Sequence, residues 1–422
     1  MSDLLWPGDH RSGELCTDAT VLTALLRVES AWLDSSPLAV GPPVSGSPSG
    51  PSLSGPGGAG LLELAGPDDL PALAAAAEEG GNPVIPLLAL LRERLGDDPR
   101  AQALHRGLTS QDVLDTALVL CLREAVGALR RDLDAQIATL TTLADRHRHT
   151  DMAGRTLTQH AVPITFGLKA AGWLQAVLDA RDILAAASDL PVQIGGAAGS
   201  LAAVVAIEGS PERAMTRIAA TAARLGLPVH QPWHTSRAPL THFGDALVTC
   251  TDAWGRTAND VLTLARPEIG ELSLARSGGS SAMPNKRNPT LAVLVRRAAL
   301  AGPPLAATLH TAAANMVDER ADGAWHVEWA TLRTLTRRTV TAGSQTAELL
   351  AGLHIDEQRM ASTLAAARPG IDAEQRQYDT TEGARPTPDP DSPRGDAPDR
   401  PYRGVADEII DAALARAGEP PC

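Results

Sequence analysis

One stretch of the chain combines residue types that can carry out acid–base chemistry. It reads Gly279-Ser280-Ser281-Ala282-Met283-Pro284-Asn285-Lys286-Arg287-Asn288-Pro289, a flexible loop that leads into the start of a helix. Lys286 stands out because the only other lysine in the chain is Lys169, while arginine is used throughout. Lysine and arginine are not interchangeable where a compact point charge must fit. A serine hydroxyl and an ammonium group in one loop indicate removal of a proton from a carbon beside a carboxylate.

The same loop also has a purely structural interpretation. Gly278 and Gly279 fit a surface turn, and Ser281 fits a helix cap. The full string is long and specific, however, and it lacks the Gly-Lys-Ser/Thr spacing of a phosphate-binding loop. We therefore interpret it as a functional motif.

Composition limits the classes of function. The chain has 422 residues and a net charge of -13, which argues against a nucleic-acid partner because phosphate binding needs a basic face. The N-terminal sequence lacks the basic start and apolar core of a signal peptide, and no apolar run reaches transmembrane length. The spacing of Cys16, Cys121, Cys250 and Cys422 fits neither a metal site nor a disulfide framework. We expect a cytoplasmic protein with no membrane contact, metal or cofactor.

The spacing of apolar residues predicts an all-α fold. From Asp112 to about Arg148, apolar residues recur at steps of three and four, which predicts one very long helix. Because such a stripe must be covered by other helices, we expect a long central helix bundle. Further helices are expected at about 165–189, 239–265, 325–352 and 290–316, the last interrupted at Gly302-Pro303-Pro304.

Three consecutive segments are expected along the chain. Residues 1–98 form a smaller helical N-terminal domain, 99–352 form the central bundle that carries the candidate catalytic motifs, and 353–422 form a truncated C-terminal region. Proline, glycine and serine are dense at about 35–60, which indicates a flexible insertion. A proline-rich linker is predicted at about 380–403, where neither a helix nor a central strand can persist.

Three other motifs carry side chains suited to binding a carboxylate. The first motif runs from His105 to Asp112. It can be interpreted as a capping box formed by Thr109 and Asp112, as an anion site on the free N–H groups of a helix start, or as both at once. The second, Gly154 to Pro163, precedes a predicted helix, so entry into a helix explains it equally well. The third, Pro232 to Arg237, holds an indole, an imidazole, hydroxyls and a guanidinium, although a hydrogen-bonded turn would also account for it.

With these motifs the chain resembles the fumarase/aspartase superfamily, whose members share the Gly-Ser-Ser-x-Met-Pro-x-Lys-x-Asn-Pro loop. Within it, the chain is most similar to the 3-carboxy-cis,cis-muconate cycloisomerases, lactonising enzymes of the protocatechuate (β-ketoadipate) branch of aromatic catabolism. The similarity covers about residues 4–360. The motifs that carry it, beyond the loop, are Leu5-Trp6-Pro7-Gly8-Asp9-His10-Arg11, Gly81-Asn82-Pro83-Val84-Ile85-Pro86-Leu87, His105 to Asp112, Gly195-Gly196-Ala197-Ala198-Gly199-Ser200, Pro232-Trp233-His234-Thr235, Glu319-Arg320 and Gly323 to Trp329.

The resemblance implies a homotetramer in which each active site combines motifs from different subunits around a small di- or tricarboxylate. It assigns the base to Ser280, and it assigns Lys286 and Asn288 to the substrate carboxylate and the charge that develops on the substrate. The other substrate-binding residues that it implies are His105, Thr109, Ser110, Gln159, Ser281, Met283, Arg237 and Arg320, the two arginines being candidates for an additional carboxylate.

Leu157 departs from the superfamily pattern. Related lyases that expel an amine or hydroxide carry Thr-His-x-Gln, whereas this chain has Thr156-Leu157-Thr158-Gln159. A basic leaving group needs a proton, and a positioned acid contributes about 10²- to 10⁴-fold. A carboxylate, with a pKa near ~4, leaves without one. Leu157 therefore favours lactonisation and disfavours an adenylosuccinate, argininosuccinate or fumarate reaction.

Two alternatives stay open. Nitrite is also a good leaving group, so β-elimination from a nitrosuccinate-type substrate is the second expectation. An inactive scaffold of the same fold is the third, but it would not need Ser280, Lys286 and Gln159 together. Asn285, where the family usually has histidine, and the shortened region after Ala361 are further departures.

Overall fold

The very long helix is present in the computed structural model, which describes residues 3–36, 60–371 and 403–421. It runs from Ser110 to Arg146, within two residues of the predicted bounds, and its Leu129, Leu133 and Leu140 are completely buried. Tertiary packing of this apolar stripe, more than helix propensity, holds so long a helix. The insertion predicted at about 35–60 and the linker predicted at about 380–403 lie almost wholly outside the described residues.

The other predicted long helices are also confirmed, and the fold is mainly helical. Several shorter helices, which the sequence did not predict individually, accompany them. The helices are α1 (Asp18–Asp34), α2 (Leu70–Gly80), α3 (Val84–Leu95), α4 (Arg100–Ala103), α5 (Ser110–Arg146), α6 (Phe166–Ala186), α7 (Ala202–Glu208), α8 (Pro211–Leu225), α9 (Ala238–Leu264), α10 (Thr290–Ala314), α11 (Gly323–Ala351), α12 (Glu357–Ile371) and α13 (Ala406–Ala417).

Helix α10 corrects one prediction, because it continues through Pro303 and Pro304 where an interruption was expected. Proline in a helix interior removes a backbone hydrogen bond and costs about 3 kcal/mol. Buried residues on both sides of the prolines, Ala298 before them and Leu309 after them, offset that cost by packing.

Two short antiparallel strand pairs interrupt the helical pattern. Strands β1 (Asp151–Thr156) and β2 (Gln159–Thr165) form a hairpin, and β3 (Leu272–Leu274) pairs with β4 (Leu353–Ile355). The motif Gly154 to Pro163 is therefore a hairpin, and the interpretation of this motif as entry into a helix is wrong. The register shifts at Gly154, where an added Cβ would lie 2.7 Å from the carbonyl oxygen of Val162, so this bulge requires glycine.

The chain forms two compact units, each discontinuous in sequence. Their boundaries fall inside five helices, α5, α6, α9, α10 and α11. The first unit contains Met1–Leu129, Leu184–Val248 and Ala301–Thr341, and the second contains Arg130–Ile183, Thr249–Leu300 and Ala342–Cys422.

In the second unit, a buried glutamine joins three helices. Trp254 on α9 donates its Nε1–H to Gln136 Oε1 at 2.7 Å, and Gln136 Nε2 donates to the carbonyl of Gly343 on α11 at 3.0 Å. An added Cβ at Gly343 would lie 3.1 Å from the Trp254 ring, so the small residue permits this close packing. The parts of α5, α9 and α11 in this unit are thereby fixed against one another.

The C-terminal part of the second unit contains more helix than expected. Helix α12 packs on the β1–β2 hairpin through a small cluster that includes Ala153 and Leu364. Helix α13 is tied to α6 by Arg416, which pairs with Asp179 at 2.6 Å and Asp182 at 2.8 Å. Across the part of the chain that the structure describes, no helix is long and apolar enough to cross a membrane.

Candidate active site

The loop that carries Ser280 lies in the second unit and is closed at its base by Asn288. Gly278 and Asn288 exchange two backbone hydrogen bonds of 2.8 Å, and Asn288 Nδ2 donates to the carbonyl of Gly279 at 2.9 Å. An added Cβ at Gly278 would lie 2.0 Å from Thr290 Oγ1, so only glycine fits there. Asn288, which the sequence predicted to bind substrate, braces the loop in this structure.

Ser280 lies just beyond this base, and its hydroxyl oxygen is held by the backbone. Its Oγ accepts hydrogen bonds from the N–H of Met283 at 3.0 Å and of Ala282 at 3.3 Å. N–H groups that point at an oxygen stabilise negative charge on it. This arrangement can support the alkoxide form of Ser280, which is the form that a base requires.

The remaining predicted residues of the loop are exposed to solvent. They are Ser281, Met283 and Lys286. Among the described residues Lys286 has no ion-pair partner, whereas Lys169 pairs with Asp260 at 3.5 Å. An exposed ammonium group without a carboxylate partner is available to bind an anion.

Gln159 lies beside the tip of the β1–β2 hairpin, also in the second unit. Thr156 pairs with Gln159, so Leu157 and Thr158 form a two-residue turn in which their φ angles are 49° and 72°. Residues with a side chain rarely adopt this left-handed conformation, which costs about 1–2 kcal/mol per residue. Leu157 is 96% exposed. The turn therefore presents an apolar side chain, with no ionisable group, beside Gln159.

A buried ion pair anchors this hairpin. Arg155 on β1 forms a bidentate pair with the fully buried Glu271, with N–O distances of 2.9 and 2.7 Å. Bidentate arginine–carboxylate pairs fix orientation as well as contributing energy. The position of the Leu157 turn thus depends on a residue just before β3.

In the first unit, Thr109 and Ser110 form the start of α5, where Arg320 joins them. Arg320 Nη1 donates to Thr109 Oγ1 at 2.6 Å, and its guanidinium carbon lies 5.6 Å from the ring centre of Trp325. Half of the predicted capping box is present, because Asp112 Oδ2 accepts from the Thr109 N–H at 2.9 Å. In place of the other half, the Asp112 N–H donates to the Thr109 carbonyl at 3.0 Å, and the Thr109 hydroxyl accepts from Arg320. Two predicted substrate-binding residues, Thr109 and Arg320, are therefore in direct contact.

His105 precedes this helix start and is held by a carboxylate that the sequence analysis missed. Its Nδ1 lies 2.6 Å from Oε1 of Glu29, a completely buried residue on α1. His105 also has a positive φ of 63°. Glu29 and His105 are 76 residues apart, and no local pattern in the sequence connects them. The contact with Glu29 fixes the orientation of the His105 ring.

Arg237 has a different environment from the one expected of a substrate-binding residue. Its side chain is completely buried, and its five N–H groups are directed at Asp115, Glu328 and the carbonyls of Trp233 and His234, at 2.6 to 3.3 Å. Burial alone lowers the pKa of Arg237, but the two carboxylates outweigh that effect and hold the pKa above its ordinary value. We therefore interpret Arg237 as a structural residue.

The predicted site residues thus fall into separate groups within each unit. In the first unit Thr109, Ser110 and Arg320 lie together at the start of α5, a group that we name the Thr109–Arg320 corner, and His105 precedes it in the chain. In the second unit the Ser280 loop and Gln159 lie on two different elements. In the described part of the chain, no group of three or more His, Cys, Asp or Glu side chains is arranged to hold a metal ion.

Comparison with known proteins identifies the family of the chain. Residues 86–301 match the model of a lyase family. The chain is 47% identical over 317 residues to the nitrosuccinate lyase of Streptomyces davaonensis, covering 72% of this chain and 67% of that protein. It is 41% identical over 301 residues to the 3-carboxy-cis,cis-muconate cycloisomerase of Pseudomonas aeruginosa, covering 69% and 64%. The chain thus spans about two thirds of the length of these relatives.

A solved structure supports the same relationship. The 3-carboxy-cis,cis-muconate lactonizing enzyme of Pseudomonas putida superimposes with a TM-score of 0.77 and 31% identity, covering 96% of this chain and 85% of that chain. The fold, the lyase-family match and these identities together define a class of enzymes. The chain belongs to the lyase family of the fumarase/aspartase superfamily. Its similarity extends to both nitrosuccinate lyase and the carboxymuconate cycloisomerases.

Replacing Arg237 by methionine tests its structural role. We expect Arg237→Met to lower the free energy of unfolding by about 3–5 kcal/mol, because it leaves two buried carboxylates without their cation. Arg276→Met is the matched control, since Arg276 is 77% exposed and pairs with Glu348 at 3.0 Å. An exposed pair contributes less than about 1 kcal/mol. Equal, small losses for both variants in urea denaturation would contradict the assignment.

Proposed function

We propose that this enzyme adds or removes a weakly basic anion at a substrate double bond through a carbanion, with Ser280 as the base and no general acid. The observation that carries the proposal is the Ser280 oxygen, which accepts two backbone N–H groups in a loop that also presents Lys286. Leu157 supports the absence of a general acid. A leaving group that is stable as an anion needs no proton when it departs, and a leucine side chain has no proton to donate.

In the direction of addition, an oxygen of one substrate carboxylate attacks the double bond, and the electron pair moves to a carbon beside another carboxylate. That carbon takes the proton of the Ser280 hydroxyl, and the serine regains a proton from solvent. In the direction of elimination, the Ser280 alkoxide removes the proton and the anion leaves with its bonding electrons. The Lys286 ammonium stabilises the charge that develops on the substrate.

The substrate carboxylates are assigned to the corner formed by Thr109, Ser110 and Arg320. Hydroxyls and N–H groups at a helix start suit a carboxylate, and an exposed guanidinium adds a charge-assisted contact. Gln159 and His105 supply further polar contacts. We no longer include Arg237 among the substrate-binding residues, because its N–H donors already bind Asp115 and Glu328. As the family resemblance implies, the assembly is proposed to be a homotetramer.

The first candidate substrate is 3-carboxy-cis,cis-muconate, which would be lactonised in protocatechuate breakdown. Four cycloisomerases are 34 to 41% identical to this chain, and two solved cycloisomerase structures match it with TM-scores of 0.77 and 0.74. The leaving group of the reverse reaction is a carboxylate, which agrees with leucine at position 157. Arg320 is the residue available for the additional carboxylate of this tricarboxylate.

The second candidate is elimination of nitrite from nitrosuccinate. The relative of that name shares 47% of its residues with this chain over the matched region. A succinate derivative has one carboxylate fewer than carboxymuconate, which agrees with the engagement of Arg237 by Asp115 and Glu328. Nitrite also departs without a proton, so both candidates use the same machinery.

An absorbance assay separates these candidates. We expect the purified enzyme to consume 3-carboxy-cis,cis-muconate and to leave adenylosuccinate unchanged, because the amine leaving group of adenylosuccinate requires an acid. Nitrosuccinate is assayed in parallel with the same enzyme preparation. Turnover of nitrosuccinate alone would reject the first candidate, and absence of turnover with all three compounds would favour an inactive scaffold.

Ser280→Ala tests the base directly. We expect turnover to fall by at least about 10³-fold while substrate affinity changes little, since the variant loses the proton carrier but keeps the loop backbone. Affinity is measured by isothermal titration with the substrate and turnover by absorbance. Turnover close to that of the unaltered enzyme would remove Ser280 from the base role.

The two lysines provide a matched pair for testing Lys286. We expect Lys286→Met to lower kcat/KM by about 10²-fold or more, because it removes charge stabilisation from the transition state. Lys169→Met should leave kcat/KM within about twofold and affect stability modestly, because Lys169 forms a partly buried pair with Asp260 on other elements than the Ser280 loop. Equal effects of the two substitutions would indicate that Lys286 acts only through overall charge.

A further inference from the structure

Asp112 joins two loops of the first unit through backbone hydrogen bonds. Its carboxylate is completely buried. Oδ1 accepts the N–H of Gly195 at 2.8 Å, and Oδ2 accepts the N–H of Gly196 at 3.0 Å and of Thr109 at 2.9 Å. No lysine or arginine of the described chain pairs with it. His234 Nε2 lies 3.3 Å from Oδ1, so backbone N–H dipoles and this imidazole together face the negative charge.

Two side chains complete this arrangement, which we name the Asp112 clasp and define as Asp112, Gln193, Gly195, Gly196 and His234. Gln193 Nε2 lies 3.0 Å from His234 Nδ1 and 3.4 Å from Asp112 Oδ1. The His234 ring packs directly on Gly195, where an added Cβ would lie 2.2 Å from Cε1. The clasp thus holds the Gly195–Gly196 backbone against the start of α5 with little room for movement.

Asp112 contacts the Thr109–Arg320 corner through the Thr109 backbone, since its Oδ2 accepts the Thr109 N–H and its own N–H donates to the Thr109 carbonyl at 3.0 Å. The Thr109 hydroxyl, on the same residue, receives Arg320 at 2.6 Å. A shift of the Thr109 backbone therefore moves the hydroxyl and its arginine partner together. We propose that Asp112 is a positioning residue that sets the affinity of the Thr109–Arg320 corner for a substrate carboxylate. This inference rests on the proposed function, which assigns that corner to the substrate.

Asp115 is a matched control on the same helix. It is one turn further along α5 and equally buried. Its carboxylate pairs with Arg237 at 2.7 Å and accepts the Trp325 indole N–H at 2.9 Å. The hydrogen bonds of Asp115 include none to the loop backbone at Thr109, Gly195 or Gly196. Asp115 reaches the clasp indirectly, through Gln111 and Arg237, which both donate to the His234 carbonyl at 2.9 and 3.3 Å. Changing Asp115 to asparagine therefore alters a buried charge but leaves the hydrogen bonds of the Asp112 carboxylate in place.

The experiment compares Asp112→Asn with Asp115→Asn at a temperature where circular dichroism shows both variants to be folded. Binding of succinate, a simple dicarboxylate probe, is measured by isothermal titration, and KM and kcat are measured with the substrate. An amide at position 112 turns one acceptor into a donor that faces N–H groups. We expect Asp112→Asn to weaken succinate binding and raise KM by about tenfold or more, with a smaller change in kcat. Asp115→Asn should lower the melting temperature and keep KM within about twofold.

Gly196→Ala is a milder second variant, in case Asp112→Asn does not fold. Gly196 has a φ of 71°, and an added Cβ would lie 3.5 Å from the nearest atom, so alanine strains the backbone without a clash. We expect a several-fold rise in KM and in the dissociation constant for succinate.

The outcomes separate this inference from the proposed function. If the unaltered enzyme binds succinate but turns over no candidate substrate, only the proposed reaction fails. If Asp112→Asn or Gly196→Ala binds succinate as well as the unaltered enzyme, or if Asp115→Asn raises KM equally, the positioning role is wrong. If the unaltered enzyme neither binds succinate nor turns over any candidate substrate, both proposals fail.

Discussion

The first unit depends on one buried guanidinium, that of Arg237 at the start of α9. Its two carboxylate partners come from different helices, Asp115 from α5 and Glu328 from α11. Removing such charges from water costs several kcal/mol per ion, so the arrangement is favourable only because nearly every donor has an acceptor. Burial raises the pKa of Glu328, and the Arg237 hydrogen bonds offset part of that rise. Three elements that are distant in sequence are thereby fixed at one point, and the Thr109–Arg320 corner lies at the start of one of them.

The two groups of candidate site residues, one around Thr109 and one around Ser280, are held in place by different kinds of contact. Around Thr109, buried carboxylates of Glu29 and Asp112 hold the ring and the backbone that would meet a substrate. Around Ser280, the backbone itself supplies the contacts, and the loop is tethered at Gly278 and Asn288. A substrate anion can bind near the buried carboxylates only if other groups, such as the backbone N–H dipoles around Asp112, already neutralise their negative charge. At Ser280, by contrast, the N–H dipoles point at the oxygen that would itself exchange the proton.

Regular features of the fold could be predicted from the sequence, and features made by tertiary contacts could not. Apolar spacing located α5 within two residues because a helix buries a periodic stripe. The β1–β2 hairpin was missed because Leu157 and Thr158 occupy positions where glycine or asparagine is the usual signal. Arg237 was assigned to the substrate because its motif shows a cation but not the two carboxylates, 122 and 91 residues away, that surround it. The Ser280 motif was recognisable because its parts are contiguous in the chain.

Because lysine is scarce, the Ser280 loop can be modified selectively in the intact protein. A protease that cleaves after lysine has two sites in the chain, one after Lys169 on α6 and one after Lys286 in the exposed loop. Backbone within a packed helix resists proteolysis, whereas an exposed loop is readily cut. Limited digestion of the folded protein would therefore cut mainly in the Ser280 loop. A single-site acylating label on Lys286 could carry a fluorophore that reports on the environment of that loop, with no cysteine engineered into the chain.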